Sequence, residues 1–311
     1  MKQTACPICH EPSNTKHKVL FVLGNAHEYQ IRECYHCKNI YTFFDVEVEM
    51  ESFYEDENYK LRDTQKTIFY RVQVFEYKKV IHHIQKLIHH QTPSLLDFGS
   101  GKGLFLHFAK QSGFDVKGIE TSLPRADYAR EKFNLDINTH QYAQGKIFDT
   151  SFDVITCFHV LEHLPDPKNL LQSLVTANLK EEGLLLIEVP NFNSWQSKWA
   201  GKYWLHLDVP RHLSHFTPLQ LKSIFEDIGY TIIKEEYFSF HLGIIGMMQT
   251  LFSFFGYRRS LIIDLKEKRS LGLLISIIII FPFAFVLECI ASMNKKGGII
   301  RYYARKNQKT I

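Results

Sequence analysis

The stretch from Ser94 to Gly103, Ser-Leu-Leu-Asp-Phe-Gly-Ser-Gly-Lys-Gly, constrains the fold of this chain more than any other segment. A short apolar run ends at Asp97 and opens into three glycines spaced two apart, and an apolar helical pattern follows from Leu104. Glycine lets a backbone turn sharply or approach a ligand without a Cβ atom in the way. The next helix would point free N–H groups at an anionic group. The stretch therefore predicts a strand, a tight loop and a helix that hold a nucleotide-like cofactor.

The spacing of the glycines differs from the dinucleotide fingerprint. That fingerprint reads G-x-G-x-x-G, whereas this loop reads G-x-G-x-G and has Leu104 where the third glycine would stand. About twenty residues further on, where a ribose-binding acid is expected, a second apparent strand from Val116 ends in the carboxylate of Glu120. Further strand patterns lie at Phe152 to His163 and at Leu184 to Val189. Strands and helices alternate, so we expect an α/β protein with a parallel sheet covered on both faces.

Four motifs in this order resemble those of class I S-adenosylmethionine-dependent methyltransferases. They are Asp97-Phe-Gly-Ser-Gly-Lys-Gly, Gly118-Ile-Glu120, Phe152-Asp153-Val-Ile and Leu161-Glu162-His163-Leu. The chain is most similar to the branch of quinone-type O-methyltransferases and sugar methyltransferases, and the resemblance covers roughly residues 70 to 306. It implies a Rossmann-like seven-stranded methyltransferase sheet, mostly parallel, whose last strand, at Gly298 to Lys306, is antiparallel.

The resemblance also implies S-adenosylmethionine as the cofactor. The candidate cofactor-binding residues are Asp97, Gly99, Ser100, Gly101, Gly103, Glu120, Tyr142 and His159. Among these, Asp97, Gly99 and Gly101 would shape the methionine pocket, and Glu120 would accept hydrogen bonds from the ribose hydroxyls. Tyr142 lies in the loop that should pass near the adenine.

Candidate catalytic residues follow from the position of the fourth predicted strand. Ligands bind at the carboxyl ends of strands in this architecture, which singles out His159, Glu162 and His163. Methyl transfer is an in-line displacement on a sulfonium, so the protein must orient the nucleophile and help to deprotonate it. A histidine suits that task, and we assign it to His163, with His212 as the runner-up. The alternative is that Glu162 and His163 only hold a loop and helix in place.

The segment from Trp195 to Phe216 is rich in tryptophan and histidine and resembles a substrate loop. Arg211, His212 and His215 could contact an anionic or hydroxylated acceptor, since arginine presents a planar fork to carboxylate or phosphate. The alternative is structural, with Asp208 paired to Arg211 and His215 capping the next helix.

Two C-x-x-C pairs, Cys6-Pro-Ile-Cys9 and Cys34-Tyr-His-Cys37, indicate a small N-terminal zinc ribbon. The first residues lack the apolar core of a signal peptide, and in such a chain these pairs favour metal or redox chemistry over disulfides. Four thiolates can surround Zn²⁺ tetrahedrally and leave no open position, so we expect a structural ion. A redox dithiol and unliganded cysteines are the alternatives.

Two apolar runs, Phe238 to Tyr257 and Ser270 to Leu287, contain no Lys, Arg, Asp or Glu. Each approaches the ~20 residues that a membrane helix needs. Two full crossings would put the basic linker, Arg258 to Arg269, on the far side, against the positive-inside tendency. We therefore expect a C-terminal apolar helical hairpin insertion that contacts a membrane surface through 238–290. The alternative is packing on the domain or on a second subunit.

The expected organisation has four parts. They are a zinc-ribbon module at 1–45, a linker with N-terminal helices at 46–92, the methyltransferase domain at 93–237 and 297–308, and the apolar hairpin at 238–296. The net charge of +4 does not demand a nucleic-acid partner. The sequence Phe158-His159-Val160-Leu161 also lacks the Asn/Asp-Pro-Pro-aromatic motif typical of base methyltransferases.

The sequence thus predicts a methyltransferase that acts on an oxygen or carbon of a small-molecule, lipid-linked, glycan or quinone-like acceptor. We expect it in the cytoplasm, peripheral on the inner face of the membrane. A soluble nucleotide-sugar methyltransferase, an RNA methyltransferase and a non-catalytic cofactor-binding module are the alternatives, and the oligomeric state is left open.

Overall fold

The computed structural model describes residues 1–12, 17–24, 28–49, 68–88, 90–142, 144–267 and 270–307. Residues 50–67 of the predicted linker segment (46–92) and the end of the basic linker, residues 268–269, lie outside the described residues. The strands are β1 (Lys18–Gly24), β2 (Glu28–Glu33), β3 (Ile40–Phe43), β4 (Ser94–Phe98), β5 (Asp115–Ile119), β6 (Asp136–Asn138), β7 (Phe152–Phe158), β8 (Leu179–Pro190), β9 (Ser214–His215), β10 (Tyr230–Glu236) and β11 (Ile299–Lys306). The helices are α1 (Ile68–Leu87), α2 (Leu104–Gln111), α3 (Leu123–Phe133), α4 (Pro167–Asn178), α5 (Trp195–Ala200), α6 (Pro218–Asp227), α7 (Leu242–Phe254), α8 (Leu261–Glu267) and α9 (Leu271–Met293).

Seven strands form the central sheet in the order β10-β11-β8-β7-β4-β5-β6. The pairs among β4 to β8 are parallel, and β11 runs antiparallel to both β8 and β10. The predicted Rossmann-like sheet with an antiparallel last strand is confirmed. The strand order places β4 beside both β5 and β7, so the ends of these three strands meet at one edge of the sheet.

Both faces of the sheet are buried. In β4, Leu95 and Leu96 point to opposite faces and are both fully inaccessible to solvent. Leu96 packs in a cluster with residues of α4 and α6, whereas Leu95 packs with residues of α1 and α2. A strand covered on both sides reads as a continuous apolar run, which is why the sequence located it well.

A second, four-stranded sheet has the order β1-β2-β3-β9. The first three strands form the N-terminal module, in which β1 and β2 pair antiparallel. The two residues of β9 come from the segment that resembles a substrate loop, and they pair with β3 at Ile40 and Tyr41. The N-terminal module is therefore hydrogen-bonded directly to that segment.

The chain between β10 and β11 holds α7, α8 and α9. Ile244 and Met247 of α7 pack with Ala284 and Ala291 of α9 in one apolar cluster. Among the described residues, α9 is the one helix that is both long and apolar enough to cross a membrane, whereas α7 spans 13 residues. The apolar run from Phe238 does not begin as helix, since the Phe240 N–H donates a hydrogen bond to Glu76 Oε2 at 3.0 Å.

Candidate active site

The glycine loop lies between β4 and α2, and its three glycines have positive φ angles of 79°, 55° and 73°. A Cβ atom on Gly99 would lie 2.3 Å from Val160 Cγ2, and one on Gly103 would lie 2.6 Å from Leu135 Cδ1. A Cβ atom on Gly101 would meet nothing within 4 Å. Gly99 and Gly103 are therefore needed for packing, whereas Gly101 borders open space.

Glu120, directly after β5, reaches back to this loop. Its Oε2 accepts a hydrogen bond from the Gly101 N–H at 2.8 Å, and its Oε1 accepts one from the Ser122 N–H at 2.8 Å. Ser122 stands at the N-cap position of α3, but its side chain makes no capping hydrogen bond. The carboxylate thus borders the same open space as Gly101, with lone pairs left on both oxygens.

Asp97 lies on β4 below the loop and is 3% exposed. Burial raises the pKa of Asp97 to about 7, although a hydrogen bond from Thr156 Oγ1 at 2.7 Å opposes that rise. Ser100 is also buried, and its backbone N–H donates to the Ile119 carbonyl at 2.8 Å. Both residues support the loop from beneath.

Tyr142 packs edge-on against Phe98, with ring centroids 5.8 Å apart. Its hydroxyl donates to the Gly145 carbonyl at 3.1 Å and lies 3.2 Å from Ser173 Oγ. The ring therefore flanks the carboxyl end of β4, and its contact with an adenine stays a prediction.

His159 follows β7 and is held between two carboxylates. Its Nε2 lies 2.8 Å from Glu188 Oε1, and its Nδ1 lies 3.4 Å from Glu162 Oε1. Burial disfavours the charged ring, but hydrogen bonds and charge from Glu162 and Glu188 outweigh it and raise the pKa of His159 to about 9. A histidine that keeps its proton at neutral pH is a poor general base. His159 can therefore contribute a fixed positive charge to the site, but it does not suit proton abstraction.

Arg301 of β11 anchors this arrangement and is 1% exposed. The guanidinium bonds to Glu188 and also to Glu76 at 2.6 Å and Glu236 at 2.8 Å. Burial works against charge on Glu188, but Arg301 and His159 keep the pKa of this carboxyl well below its usual range. The sequence analysis missed Arg301 and Glu188, although a lone charge inside an apolar strand was a visible signal in both cases.

Glu162, His163 and His212 meet beside His159. Glu162 and His163 lie on a short 3₁₀ helix, Leu161–His163, and the rings of His163 and His212 are 4.6 Å apart, edge to face. One ligand-type atom from each of the three side chains lies within 4.8 Å of the others. Burial, reinforced by His163, His215 and His206, holds the pKa of His212 well below its usual range. The structure thus brings together the two histidines that were proposed to act on the nucleophile.

The other residues of the predicted substrate loop have structural partners. Arg211 pairs with Asp208, as the structural alternative required. His215 does not cap α6, because Thr217 and Gln220 form the capping box there. Instead, His215 Nε2 lies 2.9 Å from Thr42 Oγ1 of β3.

The four cysteines of the N-terminal module surround one point. Cys6 Sγ lies 3.5 Å from Cys37 Sγ, and Cys9 Sγ lies 3.6 Å from Cys34 Sγ. Sulfurs at 2.3 Å from a tetrahedral zinc ion would be about 3.8 Å apart, so the donor set and the spacing fit Zn²⁺. After each pair, the residue that follows the second cysteine, His10 or Lys38, has positive φ and donates its N–H to the carbonyl of the first cysteine.

The sheet order and the glycine loop define a class I S-adenosylmethionine-dependent methyltransferase fold. The family model described as "Methyltransferase domain" matches residues 70–235, which is more than half of the chain. The chain belongs to this methyltransferase-domain family.

Curated relatives and a solved structure agree with this placement. A "Ubiquinone biosynthesis O-methyltransferase" of Actinobacillus pleuropneumoniae serotype 7 is 35% identical over 107 residues, 31% of this chain and 45% of that protein. The "Ubiquinone biosynthesis O-methyltransferase" of Histophilus somni is 33% identical over 129 residues, which are 38% of this chain and 54% of that protein. The match spans about half the length of these relatives. The plantazolicin methyltransferase in complex with SAH shares the fold, with a TM-score of 0.50 at 16% identity over 83% of this chain and 94% of that one.

Proposed function

We propose that this chain transfers a methyl group from S-adenosylmethionine to an oxygen of a quinone-like small molecule. The observation that carries the proposal is the open space at Gly101, bordered by Glu120, at the strand edge where His163 and His212 also lie. Val160 touches Gly99, so the turn that carries these side chains packs on the glycine loop. The cofactor and the acceptor would therefore meet at this edge.

Each side chain of the site has a defined part in the proposal. Asp97, Ser100 and the glycines shape the cradle for the methionine part of the cofactor, Glu120 binds the ribose, and Tyr142 flanks the adenine. His163 accepts the proton of the acceptor hydroxyl, and His212 is the second candidate for this role. Positively charged His159, fixed by Glu188 and Glu162, positions the turn. S-adenosylmethionine supplies the methyl group as a sulfonium.

The oxygen acceptor is supported by the relatives, which are named for O-methylation in ubiquinone biosynthesis. The chain also exposes an apolar helix, which would suit a lipid-soluble acceptor. In α9, only 11% of the most apolar window is buried, and Ile278 and Phe283 are 72% and 64% exposed. Exposed apolar surface of this extent indicates an interaction site.

The surroundings of α9 fit a membrane surface. At the base of the hairpin, Trp199 lies against Phe254, and the Arg258 guanidinium lies 4.0 Å from the centre of the Tyr203 ring. Aromatic and basic side chains of this type sit at lipid headgroups. We propose that α9 lies in the surface of the cytoplasmic leaflet and that the four cysteines hold a structural zinc ion.

The proposal is tested with methyl-labelled S-adenosylmethionine and an extract of the protein's own cells, followed by partition between organic and aqueous phases. Label in the organic phase supports a lipid-soluble acceptor. Label confined to small aqueous molecules would instead favour a nucleotide-sugar methyltransferase, and flotation with liposomes separates the two, because only the first should float.

The control for this assay is Gly101→Arg. A side chain at this position would fill the open space beside Glu120, so we expect loss of cofactor binding in calorimetry and loss of label. The neighbouring Lys102→Arg, which keeps the charge, should bind and transfer as the parent does. Unchanged affinity in Gly101→Arg would show that the cofactor binds elsewhere.

A further inference from the structure

We propose that the N-terminal module completes the active site, because Thr42 of β3 is a positioning residue that holds the His212 loop, residues 206–213, against the turn of His163. The inference rests on the proposed function, in which His163, or His212 as the second candidate, takes the proton of the acceptor. Thr42 lies outside residues 70–235, which match the methyltransferase domain. The module would thus supply the reaction with a residue that the domain does not contain.

The His212 loop is hydrogen-bonded on two sides. On the side of the large domain, the Leu213 N–H donates to the Glu162 carbonyl at 2.7 Å. On the side of the N-terminal module, the Thr42 N–H donates to the Leu213 carbonyl at 3.0 Å, and Thr42 Oγ1 donates to the His212 carbonyl at 2.6 Å. The loop is therefore fixed between the turn after β7 and β3 of the module.

The hydroxyl of Thr42 is itself oriented by His215. A carbonyl can only accept a hydrogen bond, so the hydroxyl proton points at the His212 carbonyl. The ring of His215, whose Nε2 lies 2.9 Å from Thr42 Oγ1, must then be the donor in that contact. Burial lowers the pKa of His215 to about 3, so the ring is neutral and carries its one proton on Nε2. Two hydrogen bonds thus run in one direction through three buried residues, from His215 through Thr42 to His212.

The backbone of the loop sets where the ring of His212 lies. His212 Nδ1 donates to the His206 carbonyl at 2.9 Å. Because burial, reinforced by neighbouring histidines, holds the pKa of His212 well below its usual range, the ring is neutral and Nε2 is its unprotonated nitrogen. This nitrogen lies 3.7 Å from Asp208 Oδ2 and 4.0 Å from Glu162 Oε1, beyond hydrogen-bond distance. An acceptor hydroxyl can donate to it.

The loop orients His163 as well. His163 Nδ1 lies 3.1 Å from the Arg211 carbonyl, and the ring must donate in this contact, because a carbonyl can only accept. Both histidines that the proposed function assigns to the acceptor's proton therefore depend on the position of the His212 loop.

Removal of the Thr42 hydroxyl would leave two buried groups without a partner, the His212 carbonyl and the Nε2–H group of His215. Such groups are unfavourable, so the loop should move away from β3. A displacement of about 1 Å at a reacting group can lower a rate by ~100-fold. Thr42 would act on the rate through the loop, without touching the acceptor.

The test compares Thr42→Val, which keeps the branched shape suited to a strand, with Thr42→Ser, which keeps the hydroxyl. The rate is measured with methyl-labelled S-adenosylmethionine and an extract of the protein's own cells. We expect label transfer to slow by ~10- to 100-fold in Thr42→Val and to stay close to the parent in Thr42→Ser. Calorimetry should give the parent's affinity for S-adenosylmethionine in both variants, because the hydroxyl contacts the His212 loop and β9.

A control and a second pair of variants make the comparison sharper. Thr231→Val removes a hydroxyl of β10 that bonds to Asn307, and it should transfer label as the parent does. His215→Gln places an amide N–H near the position of Nε2 and should keep most of the rate, whereas His215→Leu should resemble Thr42→Val. If Thr42→Val loses cofactor binding, the His215 pair decides in its place.

Hydrogen exchange, measured by mass spectrometry, shows whether the effect passes through the loop. Peptides that cover 206–216 should exchange faster in Thr42→Val than in the parent and in Thr42→Ser, whereas peptides of the glycine loop should exchange equally in all three. Slower transfer without faster exchange, faster exchange without slower transfer, or no change in either would overturn the proposal. Equal losses in the serine and valine variants would do the same.

The outcomes also separate this inference from the proposed function. If the parent transfers no label to any component of the extract, the proposed function fails. Hydrogen exchange then decides by itself whether Thr42 holds the His212 loop against the turn of His163.

Discussion

The two clusters of potential metal ligands in this chain differ in how they are built. The four cysteines lie in two short turns of one small module. Within each pair, the two cysteines are three positions apart in the sequence. Glu162, His163 and His212 come from two loops of the large domain, and the neighbouring Val160 packs on the glycine loop. The first cluster has four potential ligands, all thiols, whereas the second has three, two imidazoles and a carboxylate.

The comparison suggests two different roles. The number of side chains in a cluster and its place in the fold distinguish a structural cluster from one that takes part in the reaction. A closed thiolate set can stabilise a module that has little core of its own. Polar side chains that lie beside a bound cofactor, as we propose for His163 and His212, can act on the acceptor. The following predictions separate these roles and run from the largest effect to the smallest.

Replacement of one ligand in the cysteine cluster, Cys34→Ser, should unfold the N-terminal module. Structural zinc contributes an apparent ~10–16 kcal/mol in small zinc modules, and β3 of this module holds the loop of His212. We expect loss of one bound zinc ion and of methyl transfer, measured by metal content and turnover. Cys289→Ser, at a half-buried cysteine outside the cluster, is the matched control and should retain both.

Replacement in the second cluster should affect turnover but leave the fold intact. His163→Ala should lower turnover by ~100-fold or more, because general acid–base groups contribute on this scale. Thermal unfolding and cofactor affinity should change little. Full activity in His163→Ala would return this residue to a structural role, and His82→Ala on the surface of α1 should match the parent.

Removal of the Glu120 carboxylate, which we propose binds the ribose, should lower the affinity for the cofactor. Glu120→Ala should cost roughly 1.5–3 kcal/mol of binding free energy, as expected for hydrogen bonds to a charged group. Calorimetric titration with S-adenosylmethionine measures this change. Glu131→Ala, at an exposed position of α3, serves as the control, and an effect near zero at Glu120 would place the ribose elsewhere.

Per pH unit, the smallest effect concerns the stability of the folded chain. Because the pKa of His159 is raised from 6.5 to about 9 in the folded chain, its stabilising contribution is complete below pH 6.5 and is lost as the pH rises through about 9. Between these values the free energy of unfolding should fall by at most about 1.4 kcal/mol per pH unit from this group. Urea unfolding of the parent and of His159→Asn across this range measures it, and parallel pH profiles would contradict the assigned charge.

Local patterns predicted much of the fold, and the reason is physical. The buried strands β4, β7 and β8 are apolar on both faces, so their positions are visible in one short run each. The glycine spacing and the cysteine pairs are likewise short-range signals. The bounds of α7 were predicted less well, because the Glu76 side chain, distant in sequence, binds the Phe240 N–H at its start.

The candidate site was only partly predictable. The sequence pointed to His159, His163 and His212 but not to their partners. Glu188 and Arg301 meet because β11 inserts between β8 and β10, and no local pattern records that pairing. The consequence, a protonated His159 between two carboxylates, follows from burial and from long-range ion pairs.

The sequence by itself determined the methyltransferase-domain family, the succession of strands and helices along the chain and the presence of a cysteine cluster, since each depends on residues that are close together in the chain. Only the tertiary structure decided that Thr42 of the N-terminal module holds the His212 loop against Glu162. It alone also showed that one face of α9 is exposed while the other packs on α7. Contacts between distant segments depend on the packing of the whole chain, and a linear pattern does not encode them.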